Sequence, residues 1–363
     1  LIADNIATYK KHVTLKLSDG SARYYAPSEW LGRPPFNLEL RTLHVDRVRL
    51  NEALTRVAMG DGVRHLHDKV VDVEIEGKNV IAVNTAAGNR ITCSRFIDAS
   101  GSSASLFSRA FRLPVYEYGP KKVALWSYFK VRESVEGTTL HAQAGKPGFM
   151  EWIWEIPINS DTISVGYVTS GDAMKAKRQQ GRSVEDIYRE ELERFPRFGE
   201  LLQEAETLSP FVTSFRCSVH GNVAGPNWLI VGESASMVDP MTSNGVTAAL
   251  RHASEAAALL IRYRDREWLP PLATAMYSKR MEGLAKFFNC GIERVVYDWP
   301  IRRRIGALTA GDVYTIPAWS LNTVYARMRP RGVFTTLLFA GLLNLCRVAA
   351  FVFHRFCKEE EPC

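Results

Sequence analysis

The stretch from Trp228 to Leu250 constrains this chain more than any other. An apolar run, Trp228-Leu229-Ile230-Val231, stops at Gly232. Glycine at a strand end allows a close backbone approach that a side chain would block. Glu233 follows and places a carboxylate at the strand tip, a position suited to polyol hydroxyls. Asp239-Pro240 fixes a turn, and Ser243-Asn244-Gly245 opens a helix over Val246–Leu260. The free N–H groups and positive dipole end of such a helix attract an anion or an electron-rich ring edge. Glycine followed by an acid is a weak signal by itself, compatible with any strand-loop-helix. The ordered run, with Asp-Pro and Asn-Gly at these spacings, is specific.

The rest of the chain supplies a setting. Thr14–Leu17 and Ala22–Tyr25 flank Asp19-Gly20, which predicts a hairpin. Val48, Leu50, Leu54 and Val57 recur at helical spacing and predict a helix over Val45–Ala58. Short β-type runs follow at Val70–Ile75, Val80–Thr85 and Arg90–Ile97, closed by the turn Asp98-Ala99-Ser100-Gly101; a helix is predicted near Ser105–Phe111. Val123–Val131, Met150–Ile156 and Thr162–Val168 are rich in aromatic and β-branched residues and predict an antiparallel region. Ser183–Leu208 reads as one long helix with acids in its early turns. Pro270–Phe356 reads as mostly helical, broken around Pro300, Gly311 and Pro317. Strands and helices alternating around an antiparallel middle predict an α/β fold. Its parts are a Rossmann-like nucleotide-binding domain over 1–118 and 208–268, an antiparallel α+β substrate domain over 119–207, and a helical region over 269–363.

Composition narrows the function classes. At 363 residues and 46% hydrophobic, the chain can bury a large core. A net charge of +7 is spread out, and its densest cluster, Arg302-Arg303-Arg304, reads as a solvated face rather than a nucleic-acid site. The six cysteines form no C-x-x-C pair and no histidine cluster has metal-ligand spacing, so neither a metal nor a disulfide framework is expected. A reducing cytoplasm is the simplest compartment. Leu1–Tyr9 lacks the charged and apolar regions of a secretory signal. Val333–Cys346 is nearly all apolar but shorter than a bilayer span. It is expected to pack as a core helix, with peripheral membrane contact as the second reading.

The run from Gly232 to Gly245 resembles the second flavin-binding motif of the para-hydroxybenzoate hydroxylase-like flavoproteins, with Glu233 where the motif has Asp. Two more segments resemble that family in the same order: Val45-Asp46-Arg47-Val48-Arg49-Leu50, like its V-x-R helix start, and Phe96-Ile97-Asp98-Ala99-Ser100-Gly101, like its strand end beside the cofactor. The resemblance implies FAD as cofactor. It places Glu233 at the ribityl chain and Gly232, Asp239, Pro240, Ser243, Asn244 and Gly245 toward the isoalloxazine. It also places Arg47 near the diphosphate, Asp98 and Gly101 near the cofactor, and the Val71 backbone at the adenine. The family's G-x-G-x-x-G turn occurs nowhere here, and the V-x-R segment lies unusually close to Leu1. The chain is therefore expected to lack the first strand, Gly-rich turn, first helix and ribose-binding acid, as a gene fragment or truncated chain would.

Glu151-Trp152-Ile153-Trp154-Glu155-Ile156-Pro157 resembles the G-W-x-W-x-I-P signature of flavin-dependent halogenases, with Glu151 in place of Gly. Without that resemblance, the pair reads as two same-face Trp residues packing a sheet. With it, Trp152 and Trp154 flank the flavin and disfavour direct hydroxylation. The resemblance also implies a separate flavin reductase that supplies reduced flavin, and a flavin hydroperoxide that oxidises a halide held at Ser243-Asn244-Gly245. A desolvated lysine then relays the halogen to an electron-rich ring. Lys10 and Lys11 are the candidates, and Lys11, ahead of an apolar run, is taken as that lysine. Tryptophan halogenases carry a Glu where this chain has Thr242, which favours a phenol or pyrrole, free or carrier-bound, over free tryptophan. An aromatic monooxygenase, a geranylgeranyl-reductase-like enzyme and a non-catalytic remnant stay open as alternatives.

Overall fold

A computed structural model of the chain describes residues 2, 4, 6–17, 22–25, 34, 42–102, 105–132, 136–144, 149–204, 209–293 and 297, with 334, 337, 338, 341, 344, 345, 348 and 352. The chain divides into two compact units. One comprises Leu1–His65, Pro120–Phe215 and Val296–Trp319; the other comprises Leu66–Gly119, Arg216–Val295 and Ser320–Cys363. This partition groups residues 1–65 with the antiparallel region, whereas the sequence reading placed them in the nucleotide-binding domain.

The first unit is built on a mixed sheet. Its strands are β2 (Val13–Leu17), β3 (Ala22–Tyr25), β9 (Val115–Lys130), β10 (Thr138–Ala144), β11 (Met150–Pro157), β12 (Thr162–Ser170) and β13 (Phe211–His220), in the order β13-β9-β12-β11-β10-β2-β3. β9 and β13 also run into the second unit. The expected hairpin is present as β2–β3, paired antiparallel from Val13↔Tyr25 to Lys16↔Ala22. β2 joins β10 in parallel, and β10, β11, β12 and β9 then pair antiparallel in turn. β10 and β13 went unread in the sequence.

Alternation along these strands separates two faces. Leu125, Phe129, Ile153, Val165 and Tyr167 point to a core shared with three helices, α3 (Gly171–Gln179), α4 (Val184–Glu193) and α5 (Pro196–Glu204). That core is completed by Met174, Ile187, Tyr188, Leu192, Phe195 and Phe198. The opposite face carries the cross-strand row Trp126, Gly166, Trp154 and Leu140, and the row Ala124, Val168, Trp152 and Ala142. The single helix expected over Ser183–Leu208 is two helices. Ser183 and Asp186 form a capping box at the first, and Pro196, which has no N–H to donate, starts the second.

A small second sheet in this unit pairs β1 (Ala7–Tyr9) with β4 (Leu43–Val45), and leads into α1 (Arg47–Gly60). Asp46 caps α1 by accepting from the Val48 and Arg49 N–H groups. Of the apolar residues at helical spacing, Leu50 is buried, while Val48, Leu54 and Val57 are exposed.

The second unit holds a parallel pair, β8 (Phe96–Asp98) with β14 (Trp228–Ile230), and a three-stranded antiparallel sheet, β5 (Val70–Glu76), β6 (Asn79–Thr85) and β7 (Arg90–Ile91). The strand expected over Arg90–Ile97 is thus two strands in two sheets, because Phe96–Asp98 turns away from β6 to pair with β14. Helices α2 (Leu106–Ala110), α6 (Gly245–Arg262) and α7 (Pro271–Gly291) complete it, with β15 (Ser236–Met237) on β13. Phe96, Phe107, Trp228, Leu229, Ile230, Ala256, Tyr277 and Met281 form its core.

The described positions of the apolar tail are helical, and Phe334, Leu337, Leu338, Leu345, Val348 and Val352 are exposed. At these positions the expected core packing is not found. Among the described residues no helix is long and apolar enough to cross a membrane. Asp19-Gly20, Arg302-Arg303-Arg304 and the breaks at Pro300, Gly311 and Pro317 lie outside the described residues.

Candidate active site

In the second unit, the residues singled out between Gly232 and Gly245 are brought together. Gly232 adopts φ 60°, a left-handed conformation that favours glycine, and its N–H donates to Nδ1 of the buried His252 at 3.1 Å. Gly232–Ser234 forms a short 3₁₀ turn that swings Glu233 outward, exposed, with Oε1 in van der Waals range of the Gly245 position. The carboxylate therefore stands at the N-terminus of α6. Asn244 makes no side-chain cap there, so the first N–H groups of α6 receive no capping oxygen from it. Ser243, exposed at φ 52°, presents its hydroxyl at the same end. Pro240 is exposed at the preceding turn.

Two carboxylates expected at the cofactor are hydrogen-bonded within the loops. Asp98 accepts from the Ser100 N–H (3.0 Å) and hydroxyl (2.5 Å), from the Ser105 hydroxyl (3.2 Å) and from the Phe107 N–H (3.0 Å). Asp239, fully buried, accepts from the Met241 N–H at 3.0 Å and from the Cys217 thiol at 3.5 Å. These contacts shape the turns. Gly101 is tied to the same loop by its N–H, which donates to the Ser234 hydroxyl at 2.7 Å. Cys217, Asp239 and Glu293 bring donor atoms within 4.8 Å of one another, a cluster that sequence spacing does not reveal. Val71 sits where the β5–β6 register shifts, so its peptide lies at an irregularity in the ladder.

An exposed carboxylate, an uncapped helix start and a glycine-lined turn suit the polyol and ring edge of a flavin. The chain contains no G-x-G-x-x-G turn to grip its phosphates. The fit is thus good at the ring end of the cofactor.

In the first unit, Arg47 is exposed at the start of α1. Trp152 and Trp154 share one face of the sheet, with ring centroids 5.8 Å apart. The indole N–H of Trp152, 2% exposed, donates to the Tyr297 hydroxyl at 2.8 Å, and that of Trp154 donates to the Ser164 hydroxyl at 3.1 Å. Trp154 lies flat across its cross-strand neighbour Gly166, where a Cβ would overlap the indole. Glu151, the departure from the tryptophan signature, points to the other face and accepts from Tyr167 (2.8 Å) and Thr169 (2.5 Å) hydroxyls. It leaves the tryptophan face unaltered.

The two lysine candidates differ in environment, and the difference favours Lys10 over Lys11. Lys11 is exposed and paired with exposed Glu136 at 2.5 Å, a solvated ion pair of little worth. Lys10 is half-buried, and desolvation lowers its amine from 10.5 to about 8. Its backbone N–H donates to Thr42 O at 2.8 Å, extending the β1–β4 ladder. From that ladder His44 reaches Thr138 at the start of β10, Nε2 to Oγ1 2.8 Å. Thr138 shares the face of Leu140 and Ala142, the partners of Trp154 and Trp152, so Lys10 belongs to a layer attached to the tryptophan face. His44, Thr138, Gly166 and Ser234 escaped the sequence reading; His44, two residues before Asp46, had only its proximity to the V-x-R segment as a signal.

The parallel strand pair that leads through a glycine turn into a helix, and the mixed sheet packed on helices, make this an α/β protein. A triple mutant of the flavin-dependent brominase Bmp2 matches with a TM-score of 0.69 at 18% identity, over 99% of this chain and 84% of that one. The tryptophan halogenase family profile matches residues 36–286, and the chain belongs to that family. The tryptophan 2-halogenase of Chondromyces crocatus is 28% identical over 278 residues, 71% of this chain and 52% of that protein. The 1H-pyrrole-2-carbonyl-[peptidyl-carrier protein] chlorinase of Pseudomonas fluorescens is 27% identical over 237 residues, 61% of this chain and 51% of that protein. The chain thus spans about half the length of these curated relatives.

Proposed function

We propose that the protein is an FAD-dependent halogenase acting on an electron-rich aromatic, a phenol or pyrrole rather than free tryptophan, with Lys10 handing over the halogen. The observation that carries this reading is the desolvated Lys10 amine in the layer attached to the face of Trp152 and Trp154. Family membership and the pyrrole chlorinase relative support the reaction class. Glu233, the start of α6 and the Val71 backbone would hold the flavin, with Asp98 and Asp239 shaping the loops. FAD reduced by a separate flavin reductase supplies, with oxygen, the oxidation that turns halide into hypohalous acid.

Lys10 needs a lone pair to act. At its ordinary value about three amines in ten thousand are neutral at pH 7; at about 8 roughly one in ten is. The neutral nitrogen attacks the halogen, hydroxide departs, and it takes up the amine proton as water. The ring carbon then attacks the halogen, the N–X electron pair returns to nitrogen, and the ring proton restores the amine. The indole faces of Trp152 and Trp154 keep water from this transfer.

Incubation with FAD, a flavin reductase, NADH, bromide and phenol is expected to give bromophenol by mass spectrometry. Lys10→Ala should lower it by about a hundredfold or more while Lys11→Ala leaves it near wild type. Hydroxylated phenol in place of bromophenol would favour the monooxygenase reading, and failure to bind flavin would sink both.

A further inference from the structure

Thr8 stands directly opposite His44 in the β1–β4 ladder, and Lys10 follows two residues later on the same face. Thr8 Oγ1 and His44 Nδ1 are both buried, and neither has a hydrogen-bond partner among the described residues. His44 as a whole is only 8% exposed. Buried polar atoms left unpaired are costly, so two on directly opposed residues, on the same strand face as the Lys10 amine, call for a ligand.

We propose that Thr8 and His44 form the subsite for the hydroxyl group of a phenolic substrate, holding its ring beside Lys10. This rests on the halogenase reading and names the substrate class within it. The His44 Nε2 contact with Thr138 leaves two tautomers open, with Nδ1 as acceptor or as donor. A phenol hydroxyl serves both. It donates to Nδ1 while accepting from Thr8, or accepts from Nδ1–H while donating to Thr8. A methyl ether can only accept, and a pyrrole N–H can only donate. Burial, with the nearby Lys10 and His12 adding to it, holds His44 down to about 3, so the ring stays neutral and does not repel a polar ligand beside Lys10. Lys11 and Glu136 are engaged with each other in solvent. A hydrogen bond from the phenol O–H to a neutral imidazole pushes electron density to the ortho and para carbons, which are the carbons an electrophilic halogen attacks.

The test is isothermal titration calorimetry of phenol and anisole against the protein, without halide or reductase. Wild type should prefer phenol by roughly tenfold or more, since a site built for a hydroxyl rejects the analogue that lacks the donor. Thr8→Val should weaken phenol binding by roughly tenfold in either tautomer, because the phenol hydroxyl loses its Thr8 partner, and Thr8→Ser should keep it. His44→Phe should behave like Thr8→Val; should it fail to fold, the Thr8 pair of variants still decides. Equal binding of phenol and anisole, or phenol affinity unchanged in Thr8→Val, overturns the subsite. Bromination of phenol with no phenol preference overturns the subsite and keeps the halogenase. A phenol preference with no bromination does the reverse.

Discussion

At the residue scale, single atoms decide what the tryptophan face can do. Gly166 has no side chain because the Trp154 indole occupies that space. Gly166→Ala should displace the indole and destabilise the protein by about 1–3 kcal/mol, read as a lower urea midpoint together with a changed near-UV circular dichroism spectrum. His252 gives the same scale a pH dependence. It is fully buried, and desolvation, with Arg251 nearby, holds it down to about 3, whereas the unfolded chain titrates near 6.5. Below that value the unfolded state binds a proton that the folded state refuses, so stability present above about pH 6.5 is lost as pH falls toward 3. The urea midpoint should therefore be lower at pH 5 than at pH 7.5. In His252→Gln that difference should shrink, even as the displaced acceptor for the Gly232 N–H lowers both midpoints.

At the element scale, the loops around the cofactor-type helix are held by acids that family resemblance assigned to the ligand. Asp98 bonds four groups across the turn from β8 into α2. Asp98→Ala should cost about 2–4 kcal/mol in urea denaturation, because several buried donors lose their acceptor at once. If Asp98 instead served mainly to contact flavin, stability without flavin would barely change. Much of this scale was legible in the sequence. The capped start of α1, the β2–β3 hairpin, the aromatic strands β9, β11 and β12, and the strand-loop-helix from Trp228 onward follow local chemistry. The break at Pro196 was also written in the residues and passed over. The split of Arg90–Ile97 was not, because pairing with either β6 or β14 satisfies the same apolar pattern.

At the scale of the whole molecule, neither unit is continuous in sequence. β10 lies between β11, near in sequence, and β2, more than a hundred residues away. A fragment spanning residues 120–215 would expose the β10 edge and lose the β1–β4 layer with Lys10 and His44. It should bind the dye ANS strongly and lack a cooperative thermal transition, whereas the entire chain should unfold cooperatively. The sequence by itself determined the cofactor-type loop from Gly232 to Gly245 and the tryptophan pair, since glycine, proline, an acid and period-two spacing act over a few neighbouring residues. Only the tertiary structure told the two lysines apart. Lys10 and Lys11 are chemically identical neighbours, and strand alternation turned one toward Thr8 and His44 and left the other in solvent with Glu136.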